Sequence, residues 1–219
     1  MRSTEERPPD ERSTKARIRD AAVGVFAAQG TAGTTARAVA EAAGVSPGLV
    51  IHHFDSMDGL RRACDEHIVE RIRARKSDAM TQGTDLDVLG ALRDAEYAPL
   101  TAYVARMLVE ESPASDELVD HLVTDAEVYL EQGVEAGTLR PSADPRARAR
   151  LLTLWSLGGL VLHRHMERLL GVDLTAPDVG TDPDIANYAR PALELLGTGI
   201  FTDEFLARVQ QAFTEQETP

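Results

Sequence analysis

Apolar residues recur along this chain at helical spacing and nowhere with period two. Between residues 13 and 30, Ile18, Ala22, Val25 and Phe26 fall three or four apart and line one face of a helix. Ser13 or Thr14 can cap its start, and Gly30 and Gly33 end it. A short helix follows Thr35, with Val39, Ala40 and Ala43 apolar and Gly44 as its stop. Ser46 then caps a third helix, with Pro47 in its first turn, where the missing N–H costs nothing. Val50 and Phe54 face back toward the first two helices. Helix, short glycine turn, helix is the helix-turn-helix arrangement. A fourth helix is predicted from about Asp58 into the late 70s, capped near Ser56. Its apolar side carries Leu60, Ile68 and Ile72, and its end carries Arg71, Arg73, Arg75 and Lys76, where cations suit the helix dipole.

Beyond Gly83 the pattern stays helical, over about 85–95 and 97–110, with Pro99 in a first turn and Pro113 as a break. Ser115 is expected to cap a long helix to Ala136, stopped by Gly137. Asp144 and Pro145 start another, running to Leu170 and ending at Gly171. Its middle, Leu151 to Leu162, is almost wholly apolar. Such a helix must be buried on nearly all sides, which in a chain this size predicts contact with a partner subunit as well. A Pro/Gly/Asp loop over 172–183 and helices over about 184–198 and 203–215 complete an all-α chain, preceded by a polar tail over 1–12.

Charge changes the picture only once it is mapped. The 219 residues carry a net charge of −13, which argues against a nucleic-acid partner. Residues 1–80 nonetheless hold a net +1, and residues 81–219 a net −14. DNA binding depends on the field of the contacting face, and an acidic body held away from DNA limits non-specific binding. No apolar run approaches the roughly 20 residues of a membrane span. The polar first dozen residues carry no signal-peptide core, so a cytoplasmic protein is expected. The sole cysteine, Cys64, excludes an intramolecular disulfide and a cysteine-rich zinc site.

The stretch from Thr34 to Leu60 carries the functional signal. Thr35, Val39, Ala40, Ala43, Gly44, Val45, Ser46, Gly48, Val50, His53, Phe54, Ser56 and Leu60, with Ile18, Ala21, Ala22, Phe26 and Gly30 before them, resemble the DNA-binding signature of the TetR/AcrR family of bacterial regulators. The resemblance covers residues 13–62 closely and, beyond them, the plan of a variable helical domain. It implies a helix-turn-helix DNA-binding domain over 13–58 and a helical ligand-binding and dimerisation domain over 59–219. The physics agrees: the start of a recognition helix must be small or polar to approach the bases, as Ser46, Pro47 and Gly48 are. Thr35 at a helix N-terminus suits a phosphate, and Arg37 can reach a phosphate or a guanine edge. Leu49, His52 and His53 complete the expected DNA-facing set, with Arg17 and Arg19 as further donors. Two positions depart from the family, which commonly has Tyr at 51 and Lys at 57, both on the DNA backbone. Ile51 has no donor and Met57 no charge, so weaker binding with a flatter salt dependence is expected.

The resemblance further implies a homodimer on a palindromic double-stranded operator, built with the helices around 146–170 and 184–198, and a small-molecule inducer in the C-terminal helices. Tyr97, Tyr103, Met107, Tyr129 and Trp155 are the candidate lining of that pocket. The acidic C-terminal part adds a cationic ligand to the apolar one otherwise expected. A ligand-independent regulator or an activator of the same fold is the alternative. His163 and His165 point to different helix faces, and His163 with Glu167 has metal spacing but reads better as a structural histidine. With no catalytic set and no phosphate loop, neither an enzyme nor a bound cofactor is expected.

Overall fold

The apolar stripes of the first four helices are buried by the helices they form. The computed structural model describes residues 11–81, 98–110, 112–176, 178–179 and 182–197, and these form nine helices and no strand. Residues 1–10 of the expected tail, the helices expected over 85–95 and 203–215, and Tyr97 lie outside the described residues, whereas Glu11 and Arg12 already belong to the first helix, so Ser13 and Thr14 lie inside it and do not cap it. Helix α1 (Glu11–Gln29) buries Ile18, Ala22, Val23 and Phe26 and ends at Gly30, whose φ of 75° suits a residue without Cβ. Helices α2 (Ala36–Ala43) and α3 (Pro47–Phe54) follow, then the long α4 (Met57–Thr81). The rest comprises α5 (Ala98–Leu108), α6 (Pro113–Glu135), α7 (Pro145–Val161), α8 (His163–Leu170) and α9 (Ile185–Gly197).

Two of the first four helices, α1 and α4, dock on the later ones. Helix α1 packs on α2 and α5, and α4 on α6 and α1, while α6 and α5 both pack on α7. Phe26, Val50 and Leu60 therefore share one continuous apolar core with Tyr103, Val104, Leu118 and Leu157. A smaller cluster, Ala126, Leu130 and Ala149, holds α6 against α7 farther along.

Three local expectations are corrected. Ser112, not Ser115, caps α6: its Oγ accepts from the Ser115 N–H at 3.2 Å, and Ser115 returns the bond in a capping box. Pro113 therefore opens this helix instead of breaking one, because a first-turn residue needs no N–H. The apolar helix from Pro145 does not run unbroken to Leu170. It is interrupted at Leu162 (φ −92°, ψ 15°), where the His165 N–H reaches the Leu162 carbonyl at 2.8 Å, a three-residue step. Beside the interruption, His163 Nδ1 lies 3.2 Å from Asp173 Oδ1, a contact from the following loop. Finally, α4 continues to Thr81, which places Arg71 to Lys76 ahead of its last turn. The helix dipole does not explain that cluster; Arg73 instead acts on Asp125 of α6, countering the upward pull of burial on that carboxyl.

Candidate DNA-binding surface

The surface starts with two caps. Thr35 and Ser46 both have extended backbones, and their hydroxyls accept from the N–H groups of Ala38 (3.2 Å) and Leu49 (3.3 Å). Each hydroxyl spends a lone pair on its cap and keeps its own proton to offer a phosphate oxygen. Between them, Gly44 adopts the left-handed conformation (φ 65°), and the Val45 N–H reaches back to the Ala40 carbonyl at 2.9 Å. That turn sets α3 across α2, with Val50 and Phe54 buried behind it.

The outer side of the motif is open. Thr35, Arg37, Ser46, Pro47, Gly48, Ile51 and His52 are exposed. A Cβ added at Gly48 would meet nothing within 4 Å, so packing inside the protein does not demand glycine there. Leu49 and His53 are half-buried; Leu49 packs against the core, and the His53 ring lies between His52 (5.5 Å between centroids) and Phe54 (6.4 Å). The exposed set and these two are thus brought onto one short helix and its neighbour, with Leu49 and His53 turned partly inward. Arg17 is exposed, whereas Arg19 pairs with Asp20 at 2.8 Å. Lys15, which sequence reasoning missed, places Nζ 5.3 Å from the Phe54 ring centroid and adds a cation beside α3.

Residues 18–64 match the family described as bacterial regulatory proteins, tetR family, and residues 95–202 match the Tetracyclin repressor-like C-terminal domain. The chain belongs to the TetR family. It is 41% identical over 206 residues to the HTH-type transcriptional regulatory protein RaaS of Mycobacterium tuberculosis, spanning 90% of this chain and 93% of that protein. Its fold is similar to that of FadR from Bacillus subtilis, solved in complex with stearoyl-CoA (TM-score 0.54, 17% identity, 85% of this chain and 99% of that one). It is similar also to SmeT, the repressor of the Stenotrophomonas maltophilia multidrug efflux pump SmeDEF (TM-score 0.52, 24% identity, 80% and 90% covered). As a TetR protein the chain is a DNA-binding transcriptional regulator, and response to a ligand is typical of its family. TetR regulators bind operators usually as dimers. None of the described helices is long and apolar enough to cross a membrane.

One contact ties this TetR DNA-binding unit to the helices that follow it, and a second joins two of those later helices to each other. The carboxylate of Glu110, just past α5, accepts from the Thr31 N–H at 2.9 Å and the Thr31 hydroxyl at 2.5 Å, with Arg106 Nε 3.4 Å away. Inside, the Tyr103 hydroxyl donates to Asp65 of α4 at 2.7 Å, and Arg61 closes on the same carboxylate. Burial pushes the Asp65 carboxyl upward, against the lowering effect of the Tyr103 bond and the Arg61 charge. Neither contact was legible in the sequence, because each joins residues far apart along the chain.

The four described residues of the expected pocket lie in three different surroundings. Tyr103 and Met107 are buried in the main core, where the Tyr103 ring meets Phe26 edge to face at 6.2 Å. Tyr129 packs on the smaller cluster, and Trp155 stands on the exposed side of α7. An open groove of about 500 Å³ lies where α5 ends and α6 begins, lined by Leu108, Ser112, Pro113, Ser115, Asp116 and Val119.

Proposed function

We propose that this TetR regulator is a homodimeric repressor of a palindromic operator, released by a small-molecule inducer. The observation that carries this is the open outer side of α3: a capped N-terminus with small residues at Pro47 and Gly48, flanked by Thr35 and Arg37. Residues 13–58 are the DNA-contacting unit, with Thr35, Arg37, Ser46, Pro47, Gly48, Leu49, His52 and His53 as its contact set. Residues 59–219 dimerise and sense. An aqueous, cytoplasmic setting and a purely regulatory, non-enzymatic role follow from the same reading. The inducer is assigned to the C-terminal helices, where the groove at the end of α5 and the start of α6 opens, and is apolar or cationic. Its binding lowers operator affinity by the difference in its own affinity for the two dimer geometries.

Selection of bound sequences from random DNA by the purified protein tests the reading. An enriched palindrome is expected, and its absence at low salt overturns the proposal. On that operator, Arg37→Ala relaxes the preference at one position per half-site if Arg37 reads a base. Equal weakening on every sequence makes Arg37 a phosphate contact.

A further inference from the structure

Among the described residues of α1 to α4, one large apolar side chain is left exposed: Ile51, at 39%. It lies in the middle of α3, on the outer side, three residues after Gly48 and one before the exposed His52. We propose that Ile51 reads sequence, selecting a thymine in each half-site through the base's 5-methyl group. This rests on α3 being the helix that enters the major groove.

The chemistry leaves few other partners on DNA for this side chain. Ile51 has no donor and no charge, so it cannot hold a phosphate or bond to a base edge. The one apolar group a base pair shows in the major groove is the thymine methyl. The side chain is also prepared for such a contact. A β-branched residue in a helix keeps essentially one χ1 rotamer, so little freedom is lost when its methyl groups meet a surface. Gly48 leaves its own flank open, since a Cβ there would meet nothing within 4 Å. A base methyl can therefore approach Ile51 from the Gly48 side without displacing a side chain. In the free protein this apolar surface faces water, and covering it is favourable in proportion to the area removed.

The test uses the full-length protein and the duplex operator it selects. Each thymine is replaced in turn by uracil, which pairs identically and lacks only the methyl. Affinities of wild type and Ile51→Ala are measured at fixed salt by fluorescence anisotropy. For the wild type, one uracil position per half-site is expected to weaken binding about fourfold, and about fifteenfold when both half-sites are changed. Ile51→Ala should weaken binding to the thymine operator and be indifferent to uracil at that same position, so that the two changes are not additive. Its salt slope should match the wild type, because no phosphate contact is lost. Alanine is a strong helix former at this exposed site, and an unchanged thermal midpoint confirms that α3 is intact. An Ile51→Ala variant that still senses every methyl the wild type senses, or loses affinity equally on both operators, overturns the proposal while leaving operator binding in place. A wild type that selects no operator overturns the recognition-helix reading and this inference together.

Discussion

His67 of α4 illustrates how one side chain sets a pH response. Its ring is largely covered, with Nε2 3.9 Å from Asp20 of α1, and Arg19, Arg71 and Glu70 also act on it. Burial lowers its affinity for a proton; Arg19 and Arg71 add to that effect, while Asp20 and Glu70 oppose it. The unfolded chain takes up the proton near the ordinary histidine value of about 6.5, the folded chain only below it. Between those two values the unfolded state binds more protons, so stability falls as pH drops through that window. Thermal unfolding between about pH 7 and pH 5 should show the loss, and His67→Gln should flatten it; an unchanged slope would rule His67 out. Asp65 and Asp125, raised by burial, act with the opposite sign at more acid pH, where protonation favours the folded state. Cys64 is buried beside Asp65, its thiol pushed up to about 12 by burial, which keeps it unreactive in the native protein.

At the scale of elements, helix starts were legible where the signal is local. Thr35, Ser46 and Asp144 cap the helices expected of them, because a cap needs only the next three residues. Ser112 was overlooked because Pro113 reads equally as a stop or as a first turn, and the choice depends on the chain beyond. The interruption at Leu162 and the clasp from Glu110 to Thr31 were invisible for a different reason: both involve contacts with another segment. The clasp has a measurable weight. Glu110→Ala removes charge-assisted bonds to Thr31 and should destabilise the protein by about 1–3 kcal/mol in urea unfolding. At Gly30 a Cβ would stand 2.2 Å from Glu110 Oε1, on a backbone with φ 75° that side chains avoid. Gly30→Ala should therefore be destabilising too, and the double variant should fall short of the sum, since both changes break one joint. Strict additivity would mean that the two sites act separately.

For the whole molecule, the apolar run that predicted a partner is exposed in the single chain. Leu151 is 66% and Leu154 58% exposed on α7, and Leu193 is 65% and Leu196 58% exposed on α9. Exposed apolar side chains of this kind are what an interface covers, and the proposed homodimer would set two copies of α7 and α9 against each other. Leu193→Glu, set in that face, should yield a monomer by analytical ultracentrifugation. The monomer should also bind a palindrome no more tightly than a single half-site, having lost the linkage between its two DNA contacts. A variant that stays dimeric would place the interface elsewhere. The general plan, helical throughout with a helix-turn-helix first, was legible because periodicity and caps dictate it. The surroundings of Tyr103, Tyr129 and Trp155 were not legible in the same way, since an apolar side chain looks alike in sequence whether it lines a cavity or fills a core.

The Glu110 clasp has one further consequence, for how such a regulator diversifies. Its bonds end on the turn after α1, at the backbone and hydroxyl of Thr31, and none involves an atom of α2 or α3. The residues facing DNA can drift, or be exchanged with those of a relative, without remaking the joint through which the sensor holds them. Operator choice and ligand choice are then inherited as separate parts, and a chimera joined within α4 should keep each parent's half of the bargain.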